Sequence, residues 1–333
     1  MTDRTRQGAT AGAPTTEASP KPKKRRRGVV GCIIGIALGL AGLAGARLAQ
    51  LWIAFDVFTQ FSPQFMFVVV AFAIGLFSPR AKILSSSIML IVLLIAQSMW
   101  PYYASSHVSE LSKVAAGERE LKVASFNAWL GNKDAEAVKA EIARIDADVI
   151  ALLEFGLNQH VIYDQLKSQY PFNAQCANAD KCTFGILSKY PLSNVTDQMV
   201  TPGPAYMRAS LGPQFGDLTI FAVHTNRFPQ SRAQLNQVKA LVAELETVVG
   251  PHIVMGDFNA TPYSRVTETL SSQANLTRFT NLPTWPALAG LPQIAIDHIF
   301  ASSGIRQLES QSIGNPAGSD HFPIFLKVAV PVE

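Results

Sequence analysis

Three stretches near the front of this 333-residue chain carry no charged side chain: residues 28–46, 57–79 and 83–106. At 1.5 Å per helical residue each can cross a hydrocarbon layer of roughly 30 Å, so the pattern predicts three membrane helices within a membrane domain at 28–103. The middle stretch is the weakest. Gln60, Pro63 and Gln64 shorten its strictly apolar part to Phe65–Phe77, leaving a re-entrant hairpin as the alternative there. Beyond residue 120 the period changes. Ala135, Val138, Ile142 and Ile145 fall at helical spacing, as do Leu235, Val238, Leu241, Leu245 and Val248. Short β-branched runs at 121–126, 148–153, 183–187, 218–223, 252–255, 294–300 and 322–330 read as strands. Several follow one another with no helix between, so the sheets are expected to be mixed and covered by helices, an α/β class.

Charge then orients the chain. The basic run Lys21-Pro22-Lys23-Lys24-Arg25-Arg26-Arg27 precedes the first apolar stretch, and Arg80 and Lys82 join the second to the third. Positive flanks stay cytoplasmic. Three crossings then place everything after residue 106 outside the cytoplasm, in a multi-pass protein of the cell membrane. A signal peptide cleaved near Ala44-Gly45-Ala46 is the competing reading, but the apolar run exceeds the length of a signal core. Residues 1–27 read as a disordered basic cytoplasmic tail, 104–120 as a linker and 121–333 as one large domain. Residues 104–333 hold 17 basic against 21 acidic residues, a net of −4 within a chain whose total is +4. The domain therefore has no surplus cation for gripping duplex DNA, which non-specific binding requires. Of three cysteines, Cys32 lies in the first apolar stretch, while Cys176 and Cys182 flank a short polar loop and are expected to form a disulfide outside the cytoplasm.

Chemistry-bearing residues gather at strand ends. Asn127 ends the run 121–126 and Glu154 ends 148–153; Gly256-Asp257-Phe258-Asn259 and Gly318-Ser319-Asp320-His321 form two acid-bearing turns. Oxygen-rich strand ends of this kind suggest a site for a hard metal ion. In order, Ser125-Phe126-Asn127, Leu152-Leu153-Glu154, Gly185-Ile186-Leu187-Ser188-Lys189-Tyr190-Pro191, Val223-His224-Thr225, Gly256-Asp257-Phe258-Asn259, Ile296-Asp297-His298 and Gly318-Ser319-Asp320-His321 resemble the endonuclease/exonuclease/phosphatase superfamily over about residues 121–330. The layout, with Thr284-Trp285-Pro286, is similar to bacterial membrane-anchored members.

The resemblance implies a four-layer sandwich of two mixed β-sheets flanked by helices, and metal-dependent cleavage of a phosphoester. By it, Glu154, Asn127 and Asp320 hold or support Mg²⁺, with Mn²⁺ as a substitute. Asp257 orients or deprotonates the attacking water, and Asn259 contacts phosphate or water. His321, held by Asp297, donates to a phosphoryl oxygen, and His224 contacts the phosphate from the opposite side. Arg208 is a further candidate for the substrate phosphate, with a plain strand-edge charge as the alternative. Two departures bear on substrate: Leu153 stands where many members have Gln before the metal Glu, and Phe155-Gly156-Leu157 lacks the Lys that abasic-site nucleases carry there. The expected substrate is a phosphoester, with lipid head group and nucleic acid both open, and no protein partner is expected. An extracytoplasmic nuclease and a catalytically idle binding protein are the alternatives.

Overall fold

A computed structural model describes residues 23–79, 81–176, 183–199 and 203–332. In chain order the elements are α1 (Lys23–Leu48), α2 (Asp56–Thr59), α3 (Ser62–Phe77), α4 (Lys82–Ser106), β1 (Glu118–Asn127), α5 (Ala135–Ile145), β2 (Val149–Leu153), α6 (Val161–Gln165), β3 (Phe172–Gln175), β4 (Phe184–Ser188), β5 (Leu192–Gln198), β6 (Ala205–Leu211), β7 (Thr219–His224), α7 (Ser231–Leu245), β8 (His252–Asp257), α8 (Arg265–Gln273), β9 (Thr277–Arg278), β10 (Asp297–Ala301), β11 (Arg306–Gln307), β12 (Ser312–Ile313) and β13 (Ile324–Pro331).

Among the described residues two helices, Arg27–Leu48 and Lys82–Ser106, are long and apolar enough to cross a membrane unbroken. The expected middle span is a bent pair, Ile53–Thr59 and Ser62–Phe77, meeting at 56°, which makes a third crossing if it is one broken span and a re-entrant loop if it is not. Polar side chains explain the break. Thr59 and Ser62 turn their hydroxyls onto the carbonyls of Asp56 and Thr59, and Pro63 suits the first turn of α3, where no N–H donor is needed. α1 and α3 approach closely because Gly39 has no Cβ; one there would stand 2.9 Å from the Phe65 carbonyl.

The remaining elements form two packed sheets, as expected. One runs β11-β13-β1-β2-β4-β3, with β12 also on β13; the other runs β5-β6-β7-β8-β10-β9. Each contains one parallel pair, β1 with β2 and β7 with β8, among antiparallel neighbours. Strand alternation sorts the apolar residues into three cores. Leu121, Val123, Val149, Ala151, Ile220, Ala222, Ile253, Met255, Leu326 and Val328 fill the space between the sheets. Phe126, Ile150 and Leu152 face α5 through Val138, Ile142 and Ile145. Phe221, Val254 and Phe300 face α7 and α8 through Val238, Leu241, Val266 and Leu270. The result is the helix–sheet–sheet–helix sandwich.

Some boundaries differ from expectation. Residues 294–296 precede β10 rather than belonging to it, because Ile294 pairs only with Trp285 in an isolated bridge. The linker is partly built into the domain: Leu111 donates its N–H to the Leu308 carbonyl, and Arg306 forks onto Glu118 at 2.9 and 2.6 Å. Cys176 is disulfide-bonded; Cys182, Arg80 and most of the basic N-terminal tail lie outside the described residues.

Candidate active site

The interior row of each sheet ends in a polar residue. Along β1 the inward positions run Leu121, Val123, Ser125, Asn127; along β7, Ile220, Ala222, His224; along β8, Ile253, Met255, Asp257. In register, His224 pairs with Asp257 and Asp297 pairs with Asp257. The two-residue period that builds the core therefore delivers Asn127, His224, Asp257 and Asp297 to one end of the inter-sheet space. Glu154 joins them by leaving β2 at a positive φ of 48°, and Asn259 turns back with φ 47°. Non-glycine residues in that region carry strain that recurs at functional sites. Gly256, one residue before Asp257, has φ 153°, and a Cβ there would meet the Val223 carbonyl at 1.9 Å, so β7 and β8 approach as they do only with glycine.

Asp257 is the hub. Its Oδ2 accepts from Asn127 Nδ2 at 3.1 Å and Asn259 Nδ2 at 3.2 Å, and its Oδ1 accepts from the Asn259 N–H at 2.8 Å. His224 Nε2 stands 3.5 Å and His321 Nε2 3.7 Å from the same Oδ2. Burial raises the Asp257 carboxyl to about 6; Asp297 adds to the rise while His321 and His224 oppose it. On the other flank Asp297 Oδ2 lies 2.9 Å from His321 Nδ1 and accepts from Thr284 Oγ1 at 2.6 Å. Burial alone would lower the His321 pKa, but Asp297 and Asp257 outweigh it and raise the imidazole to about 10. The two acids favour the imidazolium form, with Nδ1–H given to Asp297 and Nε2–H toward Asp257. The His321 backbone is fixed by Ser319, whose hydroxyl donates to the Asn127 carbonyl at 2.7 Å and accepts from the His321 N–H at 3.0 Å.

A cavity of about 710 Å³ opens over these groups, lined by Glu154, His224, Asp257, Asn259, Asp320 and His321 with Arg227, Phe228 and Trp285. Glu154, His224 and Asp257 each place a ligand atom within 4.8 Å of the others. Asp320 Oδ1 is buried with no hydrogen-bond partner, while its Oδ2 accepts from Trp285 Nε1 at 3.2 Å. The close pair of carboxylates Glu154 and Asp257, with the orphan oxygens of Asp297 and Asp320 in the same site, fits a hard divalent cation that would offset their repulsion. Asn127, expected to hold or support the ion, lies between two of these acids. Its Nδ2 donates to Glu154 Oε1 and Asp257 Oδ2, and its Oδ1 accepts from the Trp129 N–H, so it acts here as the brace between the two acids.

Arg208 is not brought to the site. Its guanidinium binds Glu244 of α7 at 2.6 Å and Thr196 of β5 at 2.8 Å, the strand-edge role that the sequence left open. Among the described residues the cation at the cavity wall is Arg227, exposed and with no acid partner. It lies three residues beyond His224, a proximity that could have singled it out. Thr284 and Trp285, noted in the sequence only as part of a layout, touch Asp297 and Asp320 directly.

No curated protein matches the chain in sequence. Solved structures match the sandwich. An endonuclease/exonuclease/phosphatase from Bacteroides vulgatus aligns at 17% identity over 64% of this chain and 99% of its own, with a TM-score of 0.53. Sphingomyelinase C from Streptomyces griseocarneus aligns at 13% over 64% and 99%, TM-score 0.51, and a mannosyl-6-phosphatase from Bacteroides thetaiotaomicron at 15% over 63% and 99%, TM-score 0.50. At such identities the likeness is one of fold. The family model named Endonuclease/Exonuclease/phosphatase family matches residues 124–321, a span that takes in every site residue described above. The chain therefore belongs to the endonuclease/exonuclease/phosphatase family, whose members are phosphoric ester hydrolases.

Proposed function

We propose that the chain is a membrane-anchored, divalent-metal-dependent phosphoesterase whose catalytic domain lies outside the cytoplasm. The observation that carries the chemistry is Asp257, a buried carboxylate braced by two asparagines and flanked by two imidazoles at the floor of an open cavity. Glu154 and Asp320 would hold the ion, taken as Mg²⁺ with Mn²⁺ as a substitute, and Asn127 braces Glu154 against Asp257. Once bound, the ion would supply charge to offset that developing on the phosphoryl oxygens.

Asp257 orients and deprotonates the attacking water, a role suited to a carboxylate raised toward neutrality by burial. Asn259 and Asn127 fix which oxygen faces the cavity. His321 arrives protonated, and its Nε2–H donates to a phosphoryl or leaving oxygen while Asp297 keeps Nδ1 occupied. His224 contacts the phosphate from the β7 side, and Arg227 offers a guanidinium fork at the rim. Support for a membrane-borne substrate comes from the cavity's position: the rim residue Phe228 packs edge-on against Phe61 at 5.7 Å, beside the break between α2 and α3. The net acidic domain weighs against duplex nucleic acid.

The test is hydrolysis of a phosphoester panel by the full-length protein, with short-chain phospholipids, phosphate monoesters and plasmid DNA side by side. Activity should need Mg²⁺ or Mn²⁺, vanish with EDTA and favour lipid phosphoesters. Turnover indifferent to EDTA and to Asp257→Asn would remove the proposal, and preferential plasmid nicking would establish the nuclease reading instead.

A further inference from the structure

A second cavity, of about 440 Å³, lies where the membrane helices meet the catalytic domain. Gln60, Gln64, Phe67, Gln97 and Trp100 line it from the membrane side, and Tyr263, Arg278 and Asn281 from the domain side. It backs onto the active site: Thr261 and Ile294 border it, while Asn259 and Ile296, two residues away in each segment, border the catalytic cavity.

Arg278 is half-buried and its Nε donates to the Thr280 carbonyl at 2.9 Å. Among the described residues no carboxylate pairs with it, although burial already works against its charge. Its Nη1 also donates to the Pro262 carbonyl at 3.4 Å, but neutral carbonyls do not balance the charge, and a partly buried cation without a counter-ion is favoured when an anion joins it. Beside it Gln64 spends its amide N–H groups on Gln97 and on the Gln293 carbonyl, leaving Oε1 buried with no partner. An acceptor left in that state matches a hydroxyl donor. Depth supplies the third constraint. Gln97 and Trp100 stand roughly 22 and 27 Å along α4 from Lys82, the level at which a bilayer about 30 Å thick passes from hydrocarbon to head group. Trp is favoured at that level, and Trp100 and Tyr103 stack there.

We propose that this cavity binds the head group of an anionic, hydroxyl-bearing phospholipid, its phosphate on Arg278, its hydroxyl on Gln64 Oε1 and its chains against Phe67 and Trp100. The occupant would brace the junction next to the Asn259 turn. This inference rests on membrane residence and not on hydrolysis, so loss of catalysis leaves it standing.

The test uses full-length protein in maltoside micelles with EDTA and the Asp257→Asn background, which prevents turnover. Thermal unfolding is followed against added dihexanoyl-phosphatidylglycerol, dihexanoyl-phosphatidylcholine or inorganic phosphate. Phosphatidylglycerol should raise the midpoint saturably, with phosphatidylcholine and phosphate weaker by about tenfold or more, the scale of one charge-assisted contact. Asn281→Asp, which places a negative charge in the cavity without touching the Arg278 hydrogen bonds, should weaken that response by a similar factor, and Arg278→Lys should retain part of it. Equal responses to phosphatidylcholine or to phosphate alone would overturn the proposal, as would an unaltered response in Asn281→Asp.

Discussion

Among single residues, the two arginines separate most sharply. Arg208 is tied to Glu244 and Thr196, so Arg208→Ala should leave kcat/KM near wild type, whereas Arg227→Ala should lower it through KM, as expected of a rim group that binds substrate. Asp257→Asn keeps the shape and removes the basicity, and should cost about 10²- to 10⁴-fold in kcat. His298 serves stability instead. It is fully buried, lies 2.8 Å through Nε2 from the Ala260 carbonyl, and is pushed down to about 4 by burial and by the Arg278 charge. The unfolded ring takes its proton near 6.5 but the native ring waits until about 4, so the unfolded state binds more protons in that window. Stability should therefore fall by roughly 3 kcal/mol between pH 7 and 4 on this residue's account. His298→Gln, which keeps a donor for Ala260, should show a shallower loss of midpoint across that range; an unchanged slope would discard this assignment.

Of the secondary-structure elements, α8 depends on a residue from the membrane side. Its N-cap Ser264 donates through Oγ to Asp56 Oδ2 at 2.6 Å, and the Arg265 N–H donates to Asp56 Oδ1 at 2.8 Å. A carboxylate at a helix N-terminus also meets the favourable end of the helix dipole. Asp56→Ala should destabilise the protein by about 1–3 kcal/mol, read as a lower unfolding midpoint in detergent. Sequence alone showed the strands that end at Asn127, Glu154, His224 and Asp257, because a short continuous apolar run and a terminal polar residue coincide there. α5 and α7 were equally clear from their apolar stripes. β3, β5, β6, β9, β11 and β12 were not: β3, β9, β11 and β12 have four residues or fewer, β5 exposes a polar face in Leu192–Gln198, and Arg208 and Ser210 interrupt the apolar run of β6. α8 offers only Val266 and Leu270 as its main buried apolar positions. The bend at Thr59–Ser62 was visible as polarity around Pro63, but the partners of that polarity, Thr261 and Ser264, lie two hundred residues away and only tertiary structure joins them.

Across the whole molecule the proposed orientation is directly measurable. Val249 is almost fully exposed in the loop between α7 and β8, Cys32 is buried and Cys176 is bonded. A Val249→Cys protein in intact cells should react with a membrane-impermeant maleimide without permeabilisation; labelling only after lysis would place the domain inside. The junction has a kinetic corollary as well. Asp56, Gln60, Gln97 and Tyr102 fasten the domain to the helices at Ser264, Thr261, Gln293 and Gly290, so in the proposed orientation its catalytic mouth would be held at one height above the lipid instead of swinging on a tether. An enzyme pinned in this way samples a plane, not a volume. Turnover of a lipid phosphoester should then follow the substrate's mole fraction in mixed micelles and stay flat when both detergent and lipid are scaled up together.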